Sequence, residues 1–312
     1  MSLRKNILAV IITLTEERTH LRHSLEQALF GLFLIMEKDI SLKDKNTFRI
    51  GGRAKYYALV NSKKELENAL KFAKESNFPV FIMGEGSNIL VSDNGFNGIV
   101  IKLNFREILN KGNILKVGSG VYLRELVFKA RDLNLGGIEW AIGIPGTIGG
   151  AIFGNAGVPN HSMQDLVKEV EVFDNGIIKI FKKEDCLFSY RDSIFKRNTN
   201  LIILSATLEF EKGNNIDELM REYMAKRKHI KGYSIGSIFK NGEGYFAGKL
   251  IDDCGLKGKR IGDAIISNEN ANWIINLGNA SSEDVEKLIS IAKKEVKKKF
   301  NIDLIEEIRR LG

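Results

Sequence analysis

The stretch Gly143–Gly157, GIPGTIGGAIFGNAG, decides how the rest of the chain is read. It carries six glycines and a proline. Glycine costs backbone entropy on folding and brings no side chain to a core, so such a run does not serve helix or strand stability. It serves a backbone that takes left-handed dihedrals or touches something bulky. With Thr147, Asn155 and free N–H groups, the run reads as a wall against a flat or anionic ligand. The alternative is a tight loop packed under a sheet.

A second glycine stretch lies upstream. Gly84–Gly98, GEGSNILVSDNGFNG, follows the apolar strand PVFIM at 79–83. A glycine loop at a strand's end is where open α/β layers bind ligands. Ser87 and Asn88 can donate hydrogen bonds, and Gly84 and Gly86 let the backbone approach phosphate oxygens. A dinucleotide fingerprint is excluded because the third glycine is missing and no helix follows. Gly244–Lys249, GYFAGK, has the wrong spacing for a phosphate-binding P-loop and lacks the following Ser or Thr.

Around these stretches the pattern alternates strands and helices. Strands are expected over Thr47–Ile50 and Lys55–Val60. A capping box at Ser62–Glu65 starts a helix to about Asn77, with Leu66, Ala69, Leu70 and Ala73 on its buried stripe. Strands follow over 98–103 and 114–118, then a helix over 121–134. Asp174-Asn175-Gly176 between Leu166–Phe173 and Ile177–Phe181 is a hairpin signal. A strand over Leu201–Phe210 and an amphipathic helix over Asn215–Lys228 come next. The composition shifts after about residue 213. The last hundred residues predict a helix near Phe246–Cys254, a strand over Trp273–Leu277, a helix over Ser282–Phe300 and a final strand over Asp303–Leu311. At the other end, a helix is expected over about 20–37, with 1–18 as an extension. Neither Asn6–Leu14 nor Leu29–Met36 reaches the ~20 apolar residues that cross a bilayer, and no small-residue cleavage site follows the first.

Composition bounds the partners. Of 312 residues, 44% are hydrophobic and 28% charged, ordinary for a globular chain. The net charge is +8. The basic residues are interleaved with acids, and no nucleic-acid motif occurs, which favours a small phosphate-bearing ligand over nucleic acid. A Lys/Glu-rich thermophile surface is a third reading. Cys186 and Cys254 form no CxxC, and His20, His23, His161 and His229 have no ligand spacing. The expectation is free thiols, no metal and a cytoplasmic protein.

Eight motifs stand in a fixed order: TFRIGG (47–52), GEGSN (84–88), the opening stretch (143–157), YRDSIFK (190–196), GSIFKN (236–241), AGKLID (247–252), GNASSEDV (278–285) and EEIR (306–309). Together they resemble the UDP-N-acetylmuramate dehydrogenase family, also called UDP-N-acetylenolpyruvoylglucosamine reductases, of bacterial peptidoglycan synthesis. The resemblance spans about residues 40–312 and fits the shorter, second type. It implies an α+β chain with an FAD-binding fold of the vanillyl-alcohol oxidase type over 39–213, in subdomains of about 39–103 and 104–213. A substrate-binding domain over 214–301 would follow, then a C-terminal strand over 302–312 carrying a catalytic Glu. The implied contacts to non-covalent FAD are Gly84, Glu85, Gly86, Ser87, Asn88 and Ile89. From the second loop they are Gly143, Pro145, Gly146, Thr147, Gly149, Gly150, Ala151, Asn155, Ala156 and Gly157. NADPH would reduce FAD and leave. The enolpyruvyl ether of UDP-N-acetylglucosamine would then take hydride from flavin N5.

The chemistry states what that second step needs. Hydride addition pushes charge onto the enolpyruvyl carboxylate, and a guanidinium matches its two oxygens. By motif position this is Arg191. The adjacent carbon must gain a proton, and the family's donor is the Ser of GSxF, here Ser237. A serine is a poor acid alone and needs neighbours that stabilise its alkoxide; Lys240 is a candidate helper. Glu307, two before Arg309 as the family's E-x-R pattern requires, would polarise the carboxylate, with its pKa raised beside an anion. Tyr190, Arg227, Lys240, Asn241 and Arg309 are the implied substrate contacts. Lys226–Lys228 reads equally as a diphosphate clamp or a solvated helix end. The implied protein is a monomer acting on a UDP-sugar, with no nucleic-acid or membrane partner.

The chain departs from the family in places. Gly242 stands where proline is common, and His229–Tyr233 lacks the usual proline. Ile265 and Asn270 stand where many members have Gln and His, which removes a uridine-side contact. Two rivals are a flavin oxidase of the same fold and an inactive sugar-nucleotide binder. The absence of His and Cys from both glycine stretches argues against a covalently tethered flavin. Intact Arg191, Ser237 and Glu307 argue against inactivity.

Overall fold

A computed structural model describes residues 36–227 and 231–312. The helix expected over about 20–37 lies outside them, except that Met36 and Glu37 begin a strand, β1 (Met36–Ser41). β2 (Arg53–Val60) pairs antiparallel with β1. Helix α1 (Lys63–Glu75) follows, with Leu66, Ala69 and Ala73 buried. Ser62 caps it by accepting the Glu65 N–H, and the Glu65 carboxylate reaches back to the Asn61 N–H. β3 (Val80–Met83), β4 (Ile89–Val91) and β5 (Phe96–Leu103) complete the first third. The sheet order is β1-β2-β5-β3, with β2, β5 and β3 parallel.

No strand forms over Thr47–Ile50. Arg49 takes a left-handed φ of +53° there. The Asn46 amide donates to Leu42 O and Ile50 O and accepts from Phe48 N–H. These bonds curl the segment, and its carbonyls are taken by side chains instead of a neighbouring strand.

The second layer is an antiparallel sheet. It contains β6 (Ile108–Lys111), β7 (Ile114–Gly118), β8 (Val167–Asp174), β9 (Ile177–Lys182) and β10 (Leu201–Glu209), in the order β9-β8-β10-β7-β6. The β8–β9 hairpin turns through Asn175 and Gly176 at φ +48° and +91°, the positive pair that a tight primed turn requires. Helix α2 (Leu123–Asp132) and the short α3 (Ile148–Phe153) pack on one face around the buried Trp140. The other face sets Phe173, Ile202 and Leu204 against Ala58, Val60, Ile99, Ile101 and α1.

Glu171 is buried at this junction. Its carboxylate pairs with Lys63 from α1 and with Lys116 from β7 at 2.8 Å, and accepts the Ser205 hydroxyl at 3.3 Å. Burial pushes its pKa up, but the two lysines outweigh burial and hold it below the usual carboxylate value. A depressed carboxyl pKa stabilises the fold above the unfolded value, and that stability is lost as pH falls through the folded value. Glu171→Gln is expected to cost about 2 kcal/mol at pH 7, moderated because both lysines are half-exposed. Urea unfolding checks it: the deficit relative to wild type should shrink as pH drops below about 5.

Further elements are α4 (Ile194–Arg197), α5 (Ile216–Ala225), α6 (Ala247–Asp253) and α7 (Ser282–Phe300), with the small sheet β11 (Arg260–Ile261), β12 (Ala264–Ile266), β13 (Ile274–Asn276). Phe48, Ile50 and Leu90 join the core formed by residues 235–308. The expected final strand over Asp303–Leu311 is split. Residues 305–307 bond to the Ile238–Lys240 segment, through Lys240 N–H to Ile305 O and Glu307 N–H to Ile238 O. Only β14 (Arg309–Leu311) is a strand, and it pairs parallel with β4. The last eight residues are therefore a strap bonded first to the C-terminal core and then to the glycine-loop sheet.

Candidate active site

The two glycine loops face each other. Gly84–Asn88 joins β3 to β4, and Gly143–Thr147 leads into α3. A Cβ on Gly84 would stand 2.6 Å from Thr147 Oγ1. Gly146, at φ +145°, lies opposite Ser87, whose hydroxyl donates to Pro145 O at 3.0 Å. Among the described residues, the N–H groups of Glu85, Gly86, Ser87, Gly146 and Thr147 donate to nothing in the protein. Convergent backbone donors beside side-chain-free glycines suit the oxygens of a pyrophosphate. Beyond them Thr147 caps α3, a helix not expected within the glycine stretch, by accepting the Gly150 N–H. Ile148 and Gly149 donate to Val121 O and Ser119 O, which seats Gly149, Gly150 and Ala151 against the second sheet.

The end of the stretch serves another purpose. Asn155, at φ +42°, donates both amide hydrogens, to Ser189 O at 2.9 Å and Gln164 Oε1 at 3.3 Å. Ala156 packs on the core beside it. Gly157 O accepts from Arg191 Nη2 at 2.8 Å. These bonds hold the tight turn Ser189–Asp192, in which Arg191 takes a left-handed φ of +55°. A non-glycine residue in that region stores strain, and it aims the Arg191 side chain inward.

Arg191 Nε lies 3.0 Å from Glu307 Oε1, and both side chains are largely buried. Three groups fix the Glu307 backbone: its N–H donates to Ile238 O, and its carbonyl lies 3.3 Å from Asn88 Nδ2 and 3.5 Å from Lys196 Nζ. Burial raises the Glu307 pKa, against the opposing pull of Arg191, Lys196 and Lys240. The adjacent Glu306 pairs with Lys293 and with Arg310 at 2.6 Å, and these hold its carboxyl low despite burial. The two neighbouring glutamates thus have opposite characters: one anchors the strap, the other sits beside Arg191 with a raised pKa.

Ser237 precedes Ile238, the residue that receives the Glu307 N–H, so the GSIFK segment that carries Ser237 is bonded to the strap that carries Glu307. Ser237 Oγ accepts from Trp273 Nε1 at 3.3 Å. An indole N–H only donates, so this bond uses an oxygen lone pair and leaves the hydroxyl hydrogen available.

The sequence-selected substrate residues divide. Tyr190 Oη lies 3.4 Å from the Asn241 N–H across the two halves of the chain, and Tyr190 is exposed. Asn241 Oδ1 accepts the Ala247 N–H at the start of α6. Lys240 is close enough to influence Glu307, Lys196 and Asp192 electrostatically. Arg309 lies with the glycine loops: its guanidinium is between Phe81 and Phe153, 4.4 and 4.6 Å from their centroids, and its N–H donates to Asn88 O. Ile89 pairs with it in register. Arg227 also lies there, donating to Trp140 O at 2.8 Å and Ile142 O at 3.3 Å, just before Gly143. Lys228 is outside the described residues. Trp273 and Lys196 are polar neighbours of the site that the sequence reading did not select. Lys196 stands within the YRDSIFK motif, whereas nothing in the pattern around Trp273 marks it.

Comparison with known proteins gives the family of the chain. A family profile described as FAD binding domain matches residues 54–177. One described as UDP-N-acetylenolpyruvoylglucosamine reductase, C-terminal domain, matches 228–311. The chain is 39% identical over 286 residues to the UDP-N-acetylenolpyruvoylglucosamine reductase of Clostridium novyi, covering 89% of this chain and 92% of that protein. It is 41% identical over 299 residues to that of Caldicellulosiruptor saccharolyticus, covering 92% and 95%. The crystal structure of UDP-N-acetylenolpyruvylglucosamine reductase from Thermus caldophilus superposes with a TM-score of 0.79 at 35% identity, covering 90% of this chain and all of that one.

Proposed function

The chain belongs to the UDP-N-acetylenolpyruvoylglucosamine reductase family of oxidoreductases, and on that footing we propose that it reduces the enolpyruvyl ether of UDP-N-acetylglucosamine to UDP-N-acetylmuramate with NADPH. The step belongs to peptidoglycan precursor synthesis, and through the cell wall to cell shape and division. The Gly84–Asn88 and Gly143–Thr147 loops would hold FAD without a covalent tether, and the bound flavin would supply the hydride transfer between NADPH and the vinyl terminus of the substrate.

The chain's own groups do the rest. Arg191 binds the enolpyruvyl carboxylate and balances the charge that hydride addition drives onto it. Its present partner, Glu307, has a raised pKa. In the neutral form Glu307 releases the guanidinium and donates its own O–H to a carboxylate oxygen, where an ionised side chain would repel it. Ser237 gives its hydroxyl proton to the carbon next to the carboxylate, and the Trp273 N–H stabilises the oxygen left behind. Tyr190, Lys240 and Asn241 would receive the sugar diphosphate. Arg227 braces the entry to the Gly143 loop. The same reading makes the protein a cytoplasmic monomer acting on small molecules; no helix among the described residues is long and apolar enough to cross a membrane.

The observation that carries this reading is the Arg191–Glu307 pair, its glutamate on a strap bonded to the segment that carries Ser237, assembled from three distant parts of the chain. Anaerobic titration tests it. NADPH should bleach the FAD-loaded protein, and the enolpyruvyl sugar nucleotide should restore the yellow spectrum with one equivalent of UDP-N-acetylmuramate formed. A protein that does not take up FAD, or that stays bleached, refutes the reading.

A further inference from the structure

The Lys196 side chain lies between the two groups that must meet for this reaction. Its Nζ is 3.3 Å from Arg191 O and 3.5 Å from Glu307 O. Arg191 belongs to the turn held by Asn155 and Gly157, and Glu307 to the C-terminal strap. Lys196 rises from α4, whose first turn is fixed by Ser193: that hydroxyl accepts the Lys196 N–H and donates to Phe153 O at 2.7 Å. The ammonium therefore starts from a rigid point and contacts the main chain of both partners.

We propose that Lys196 is a positioning residue for the second half-reaction: its ammonium clasps the carbonyls of Arg191 and Glu307 and so sets the register of guanidinium against carboxyl. The inference rests on the functional reading above and extends it to a residue that acts through Arg191 and Glu307.

A neutral surface contact would not explain the surroundings. Lys196 is partly buried and faces Lys240 and Arg309 as well as Glu307 and Asp192. Keeping an ammonium beside two other cations costs energy, and the two carbonyls and two carboxylates offset that cost. Burial, with Lys240 and Arg309, pulls the Lys196 pKa down against Glu307 and Asp192. Glu307 in turn faces Arg191, Lys196 and Lys240, so loss of the Lys196 charge moves its carboxyl further up.

Lys196→Met and Lys196→Arg, both loaded with FAD, test the clasp by two independent measurements. The first is hydrogen exchange at the Glu307 and Arg309 amides, which donate to Ile238 O and Asn88 O. Losing a charged donor to the strap should speed exchange about tenfold in the Met variant and much less in the Arg variant. The second is stopped-flow kinetics of each half-reaction. The Met variant should be reduced by NADPH within about threefold of the wild-type rate but reoxidised by the enolpyruvyl sugar about 30-fold more slowly. Its Glu307-dependent pH limb should shift upward, and Arg should rescue most of the rate. Unchanged exchange overturns the clasp. Faster exchange with unchanged reoxidation overturns its role in the reaction, as does equal slowing of both half-reactions. If wild-type protein itself is not reoxidised by the sugar, the functional reading fails, while exchange still decides the clasp.

Discussion

Ser237→Ala is expected to leave reduction by NADPH within about threefold of wild type and to slow reoxidation by the enolpyruvyl sugar nucleotide by roughly 10³-fold or more. The split follows from what each step moves. Reduction transfers a hydride between two heterocycles and needs no proton from the protein at the substrate carbon. Reoxidation places hydride on one carbon of the vinyl group and must place a proton on the next. The proposed role of Ser237 in that second transfer needs a free hydroxyl hydrogen, and Trp273 Nε1 engages the lone pair of Oγ, not its hydrogen. On that proposal the same indole N–H would support the developing alkoxide. Trp273→Phe should therefore slow only reoxidation too, by the smaller factor of about tenfold that one lost hydrogen bond to a charged oxygen allows. Loss of both half-reactions to the same extent in Ser237→Ala would remove it from the proton-donor role and leave it a structural residue of the GSIFK turn.

The elements that sequence made legible are those whose signals are local. The Asp174-Asn175-Gly176 hairpin announced itself because only a few residues adopt two consecutive positive φ values cheaply. Helix α7 has the bounds that its Ser281–Asp284 capping box and apolar stripe require. The α+β class and the flavin-binding architecture followed from the ordered motifs, and the matching profiles and the superposition bear them out. What sequence hid depended on distant partners. Thr47–Ile50 carries strand-forming residues, yet the Asn46 and Asn276 side chains capture the carbonyls of Ile50 and Phe48. Residues 303–311 read as one strand because nothing local shows that Lys240 and Asn88 claim opposite ends of it. In the glycine stretch, entropy argued against helix, but a Thr147 cap and anchors on Ser119 and Val121 hold one six-residue turn in place. The candidate site was partly legible for the same reason. Motifs supplied Arg191, Ser237 and Glu307, whereas Trp273 and Lys196 acquire meaning only from what lies beside them.

Arg191→Met should produce a loss as large, about 10³-fold or more in reoxidation, with NADPH reduction again little changed. Two consequences add. The substrate carboxylate loses the forked cation that absorbs its growing charge. Glu307 loses its strongest opposing charge while staying buried, so its carboxyl pKa, already raised, climbs further. A carboxyl raised by burial is neutral to higher pH, and each ionised fraction then stands uncompensated beside an anionic substrate. The residual reoxidation in Arg191→Met should thus fall as pH rises, with its midpoint above that of the wild type. Arg191→Lys should keep the wild-type direction of the pH limb, because a charge remains near Glu307, yet recover only part of the rate. A single ammonium cannot both reach Gly157 O, as Arg191 Nη2 does at 2.8 Å, and match two carboxylate oxygens. FAD content should change little in either variant, since the Gly84–Asn88 and Gly143–Thr147 loops make their contacts elsewhere, whereas the melting temperature should fall in Arg191→Met, which loses the bond to Gly157 O and the partner of a largely buried Glu307. If instead Arg191→Met reoxidises normally, the carboxylate must be held by other cations, and Lys240, which already acts on Glu307, becomes the side chain to substitute next.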